Sequence, residues 1–200
     1  MTFIQTISEE RAEADVKQMY EENIAAFGYL PNYVQAFSLR PQVMAAWGQF
    51  LGTIRREMDT RRYELVTLAA ARALNSSYCM LAHGKVALKE FCTVEQLTNI
   101  VQDYHTADLT PAEVAMMAFA EQVVQDATAV TQAHIDTLHQ HGFSDVEIFD
   151  ITTTAAARCF MSKTVDALGA EPDEAFMQLD NNLRQALTVG RPISGQINEG

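Results

Sequence analysis

Between Glu64 and His83 the chain gathers a carboxylate, a hydroxyl, a thiol and an imidazole at helical spacings. His83 follows Cys79 by four residues and Ser76 precedes it by three, so on a regular helix all three project from one face. An imidazole beside a thiol can take its proton or stabilise its thiolate, and can later return the proton to a leaving oxygen. Glu64, one helix earlier, is a natural orienting carboxylate for His83 if the two helices fold against each other. Ser76 can cap its helix or donate to the Cys79 sulfur. Tyr78 can line a pocket or simply pack. A blander reading competes: a Cys in an alanine-rich helix is commonly a small buried hydrophobe, a His a satisfied polar group, and Glu64 a solvated helix residue.

The elements that must position these groups are legible from helix punctuation. Asn75, Ser76 and Ser77 interrupt an alanine-rich run with residues that prefer caps, so a new helix starts there and Cys79 falls in its first turn. Unpaired amides and the positive end of the helix dipole favour a thiolate at such a position. Thr6 with Glu9, Thr93 with Gln96, Thr110 with Glu113 and Ser144 with Glu147 read as further helix starts, Pro111 reinforcing one of them. Gly28, Arg40-Pro41, Gly142 and Gly169 read as stops. The implied helices run near 10–27, 32–38, 42–57, 60–74, 77–91, 94–103, 111–127, 131–141, 145–168 and 173–188, and no intervening segment alternates as a strand. The expectation is an all-α bundle, one domain over 1–190 followed by a loose tail over 191–200. Ala69-Ala70-Ala71-Arg72 recurs as Ala155-Ala156-Ala157-Arg158, a hint of duplication. Val165 and Gly169 stand where the second copy would match Cys79 and His83, so only the first half is expected to carry chemistry.

Composition narrows the function classes. A net charge of -12, from 14 basic and 26 acidic residues, offers no footprint for nucleic acid or an anionic membrane. No stretch approaches the roughly 18 apolar residues of a membrane span, and the first residues lack a signal peptide's pattern, so the expected location is cytoplasmic. Cys79, Cys92 and Cys159 are an odd number without framework spacing, which fits a reducing compartment. No zinc pattern occurs, and no metal or cofactor is expected. His105, His134, His139 and His141 fall outside the motif and receive no role.

The run from Glu64 to His83 resembles the core motif of the alkyl hydroperoxidase D-like, or carboxymuconolactone decarboxylase, superfamily. In that motif a Glu precedes a Cys-x-x-Cys by a fixed interval and a His follows it, and Glu64, Ser76, Cys79 and His83 stand at those positions. Phe27-Gly28-Tyr29-Leu30-Pro31-Asn32, Leu39-Arg40-Pro41, Gly142-Phe143-Ser144-Asp145 and Asp166-Ala167-Leu168-Gly169 look like its peroxidase-related branch. The resemblance covers about residues 5 to 180. It implies an all-helical, homo-oligomeric fold, commonly trimeric or hexameric, with the motif near subunit contacts. It also implies a cycle in which the motif cysteines reduce a hydroperoxide while Glu and His relay protons.

Ser76 departs from that pattern, because a hydroxyl in place of the first cysteine cannot form the disulfide of a two-cysteine cycle. A sulfenic acid on Cys79 must then condense with another thiol before it is overoxidised. Cys92 lies thirteen residues on, roughly 20 Å along a continuous helix, whereas a disulfide needs α-carbons within about 7 Å. The leading expectation is a one-cysteine thiol peroxidase: Cys79 as nucleophile, His83 as acid/base, Glu64 as its orienter, Ser76 and Tyr78 as auxiliaries, and an external thiol as donor. Two alternatives stand beside it. One is a non-redox proton-transfer enzyme of the decarboxylase type, needing His83 and Glu64 but not the thiol. The other is a non-catalytic oligomeric binding module.

Overall fold

The computed structural model describes residues 2–195, and among them the secondary structure is helical throughout, with no strand. Ten α-helices follow in chain order. They are α1 (Ala14–Phe27), α2 (Asn32–Ala36), α3 (Pro41–Arg55), α4 (Thr60–Ala73), α5 (Ser77–Glu90), α6 (Val94–Asp103), α7 (Pro111–Asp126), α8 (Gln132–Gln140), α9 (Asp145–Ala167) and α10 (Asn181–Leu187).

The bundle is organised around α4, whose residues are buried without interruption from Tyr63 to Ala71. Burial on every side requires neighbours on every side, and α4 packs against α5, α7 and α9. Ala69, Ala70 and Ala71 suit this place, since small side chains let surrounding helices approach closely. The first turn of α4 is pinned from outside. Arg61 pairs with Glu113 at 2.5 Å and Arg62 with Glu147 at 2.5 Å. Those two glutamates are the third residues of capping boxes begun by Thr110 and Ser144, so each closes its own helix start while gripping α4. The third expected box, Thr93 with Gln96, also forms.

Two expected boundaries differ. Thr6 opens no helix: a short 3₁₀ turn spans Glu9–Arg11 and α1 begins only at Ala14. The segment before it is committed elsewhere, because Ile7 N–H donates to Ser38 Oγ at 3.0 Å and Tyr20 donates its hydroxyl to Ile7 O at 2.6 Å. The expected 173–188 helix is split into a 3₁₀ turn, Glu174–Gln178, and α10. Asp180 causes the split by accepting from Asn182 N and Leu183 N, which starts a new helix.

The turn between α4 and α5 fixes the site. Asn75 takes a left-handed conformation, φ 53°, after which Ser76 N–H donates back to Ala71 O at 3.0 Å. This is a Schellman stop with asparagine in place of glycine. The C-terminal segment crosses over it: Gly190 N–H donates to Ser77 Oγ at 2.8 Å, and a β-carbon on Gly190 would lie 2.0 Å from Asn75 O. Beyond it, Ile193 is buried, Arg191 Nη2 donates to Asp166 O and Ser194 N donates to Pro172 O. The expected tail is therefore packed from Arg191 to Ser194, and residues 196–200 lie outside the described ones.

Candidate functional site

The motif residues converge at the junction of α4, α5 and α9. Glu64 and His83, nineteen residues apart, meet directly: Glu64 Oε2 lies 2.6 Å from His83 Nδ1. Glu64 is 1% exposed, so it is an interior carboxylate rather than a solvated one, while the His83 side chain keeps 18% of its surface. The other ring nitrogen is engaged too, for Arg158 Nη1 lies 2.8 Å from His83 Nε2. A guanidinium only donates, so Nε2 accepts and Nδ1–H donates to Glu64, which defines a neutral imidazole with a fixed tautomer. Burial pushes the His83 pKa down from its ordinary value; Glu64 opposes this, while Arg158 and Arg55 add to it.

Cys79 is buried in the first turn of α5, and its Sγ accepts a hydrogen bond from Ser162 Oγ at 3.1 Å. Cys79 and His83 share a face of α5 one turn apart, yet among the described residues no hydrogen bond joins them directly, since each has its own partner on α9. All three cysteines are free thiols.

Ser76 has neither role expected of it. Its hydroxyl makes no capping bond, and the donor to Cys79 is Ser162 instead. Ser76 is fully buried near Asp166, whose carboxyl burial pushes up and Ser76 and Arg191 pull back down. Tyr78 is buried, and its hydroxyl is engaged by partners other than the thiol. It donates to Asp173 Oδ2 at 2.5 Å and accepts from Tyr33 N–H at 3.2 Å, tying α5 to α2 and the C-terminal segment.

Reading the sequence placed α9 but missed what it brings to the site. Thr154, Arg158 and Ser162 recur every four residues and are all buried, at 0%, 2% and 1% exposure. They form a polar stripe that meets Met58, His83 and Cys79 in turn. The second Ala-Ala-Ala-Arg copy nonetheless lies at the site, because its Arg158 reaches the imidazole. The signal was present: the offset that carries Arg72 onto Arg158 also carries Ser76 onto Ser162, and polar residues four apart in an alanine-rich helix mark one face. Arg158 also stacks on Trp47, its guanidinium 5.3 Å from the ring centre. Trp47 in turn lines an open apolar cleft between α3 and α9, about 490 Å³, together with Val43, Phe50, Ala157 and Phe160. Near His83 stand Tyr63, its ring 6.3 Å from the imidazole, and Arg55, stacked on Tyr63 at 5.1 Å.

Among the described residues no group of three or more His, Cys, Asp or Glu side chains could hold a metal ion, and no helix is long and apolar enough to cross a membrane.

Comparison with known proteins agrees with this architecture. Residues 41–122, which include Glu64, Cys79 and His83, match the carboxymuconolactone decarboxylase family. No curated protein matches the chain significantly. Among solved structures, an uncharacterized peroxidase-related protein from Ralstonia eutropha with an alkylhydroperoxidase AhpD core superposes with a TM-score of 0.80 at 22% identity, covering 89% of this chain and 95% of that one. A peroxidase-related protein from Silicibacter sp. gives 0.74 at 17% identity, covering 88% and 91%. A variant of the debrominase Bmp8 in complex with 2,3,4-tribromopyrrole gives 0.71 at 17% identity, covering 94% and 96%. At these identities the neighbours speak for the fold. The chain thus matches the carboxymuconolactone decarboxylase family over residues 41–122 and shares an all-α fold with these neighbours along nearly its whole length.

Proposed function

We propose that the protein is a thiol-dependent hydroperoxide reductase with a single motif cysteine, reduced by an external thiol. The observation that carries this reading is the Cys79 sulfur held by the Ser162 hydroxyl one helical turn from an imidazole anchored to a buried carboxylate. In the proposed cycle His83 Nε2 takes the Cys79 proton once the Arg158 N–H turns aside, and Glu64 stabilises the imidazolium through Nδ1–H. The thiolate attacks the distal peroxide oxygen, an S–O bond forms as the O–O bond breaks, and the leaving alkoxide recovers the proton from His83. The products are an alcohol and a Cys79 sulfenic acid. A donor thiol condenses with the sulfenic acid, releasing water, and a second donor thiol frees Cys79 as the donor disulfide leaves.

The test is peroxide-dependent oxidation of a small dithiol. Wild type should consume peroxide and form a sulfenic adduct on Cys79, and Cys79→Ser should lose both. Trapping a disulfide between Cys79 and Cys92 or Cys159 would overturn the external-donor step. Sedimentation at micromolar concentration tests the trimeric or hexameric assembly that accompanies this proposal, a monomer ruling it out.

One observation favours a second reading, non-redox proton transfer by His83 and Glu64. The imidazole keeps 18% of its surface while Cys79 keeps 4%, so a substrate reaches the base more easily than the thiol. Full turnover of a non-peroxide substrate by Cys79→Ser, with loss in His83→Gln, would establish it. A Cys79 inert to peroxide in a chain with neither activity leaves a binding module.

A further inference from the structure

Arg158 has more bonding capacity than the protein uses. Of its five N–H donors, one from Nη1 serves His83 Nε2. Stacking on Trp47 occupies its face and leaves its edge. Among the described residues, no protein group accepts from Nε or from Nη2, although both atoms are closed off from solvent. These two donors are not an arbitrary pair. Nε–H and the neighbouring Nη2–H point the same way, side by side, and form the fork that matches the two oxygens of a carboxylate. The site's own carboxylate does not fill it: Glu64 gives Oε2 to His83, and its Oε1 has no partner. Buried donors of this kind are ordinarily matched by an acceptor.

The electrostatics agree. The chain carries a net charge of -12, a field that repels anions at large. Two guanidiniums bear on His83, the buried Arg158 and the exposed Arg55, against the single carboxylate of Glu64.

We infer that Nε and Nη2 of Arg158 anchor a carboxylate of the substrate, with Arg55 drawing the anion toward the site. Ser162 and Cys79 lie one turn further along the same pair of helices. A fork that pairs with a carboxylate selects a small organic acid over a neutral lipid. The assignment rests on the reading of this site as catalytic for its meaning, but its test involves no turnover.

Trp47 is the single tryptophan and lies under the Arg158 guanidinium, so its fluorescence reports on the fork. Benzoate is titrated into Cys79→Ser protein, with benzyl alcohol as the uncharged control. Benzoate should give a saturable change that benzyl alcohol does not. Arg158→Gln should weaken benzoate binding by about tenfold or more, and Arg158→Lys, which keeps the charge without the fork, by a similar amount. Arg55→Gln, on the surface, should weaken it about two- to fourfold at low salt and hardly at all at high salt. Thermal melts identify an Arg158 variant that fails to fold, in which case the benzoate and benzyl alcohol comparison and Arg55→Gln decide. No saturable response to benzoate, an equal response to benzyl alcohol, or undiminished binding in folded Arg158 variants would overturn the assignment. Benzoate binding without any peroxidase activity would remove the redox reading and leave this one standing.

Discussion

At the scale of single residues, the site is a set of polar groups each oriented by a partner on another helix. His83 is held at both nitrogens and Cys79 by a hydroxyl, and all the partners are themselves buried. Ser162 is the simplest to interrogate. It contributes one donor to a sulfur, and a hydrogen bond to a charged group is worth on the order of 1.5 kcal/mol net. Ser162→Ala should therefore slow alkylation of Cys79 by iodoacetamide about tenfold at fixed pH, with little change in stability. An unchanged rate would mean that the hydroxyl merely fills space beside the thiol. Glu64 differs, because the carboxylate lies at 1% exposure with His83 as its partner. Glu64→Ala leaves the buried Nδ1–H of His83 without its acceptor and should cost ~1–3 kcal/mol in urea unfolding, while Glu64→Gln, which keeps the volume and one acceptor, should cost less.

Among the elements, the decisive one is the turn from α4 to α5, and here the sequence was informative. Asn75-Ser76-Ser77 announces a helix break because all three residues compete with helix interiors, and three capping boxes announce α6, α7 and α9 for the same local reason. The Thr6 start failed, and the split before α10 was not anticipated, because long-range bonds to Ser38 and Tyr20 and the cap at Asp180 outweigh a short motif. Half of the site was legible for a similar reason. Glu64, Cys79 and His83 sit on one continuous stretch where spacing speaks, whereas Arg158 and Ser162 arrive from a helix whose register against α5 only tertiary packing sets. Gly190 tests how far the turn depends on what crosses it. Gly190→Ala puts a methyl group 2.0 Å from Asn75 O, and the obstruction is backbone, which cannot swing aside. We expect the C-terminal segment to lift off, with a loss of ~1–3 kcal/mol that lowers Tm by several degrees. Asn75→Gly should leave Tm unchanged or slightly raised, since φ 53° suits glycine.

For the molecule as a whole, these local devices add up to a defined response to acid. His83 is held neutral, its pKa lowered chiefly by burial, so the unfolded chain binds a proton near pH 6.5 that the folded chain refuses. Stability is then fully present above that pH and falls as pH drops, at up to about 1.4 kcal/mol per pH unit for one proton. A second stage follows lower down. Glu147 is held at about 2, chiefly by its own cap at Ser144 and then by Arg62, and Glu113 is lowered by Arg61 and Thr110 despite burial. Their contribution is present above the ordinary carboxyl value and is lost as pH falls below it. Asp173 and Asp166, raised by burial, pull the other way. So does the easing of self-repulsion as a chain of net charge -12 approaches its isoelectric point of 4.7. Comparison of variants separates these contributions. Urea unfolding at pH 7.5 and 5.5 should show wild type losing stability between the two, and His83→Gln losing clearly less, because the other histidines and the net charge are common to both. An equal loss in the two proteins would mean that His83 accepts its proton without unfolding, and the neutral imidazole held between Glu64 and Arg158 would have to be abandoned.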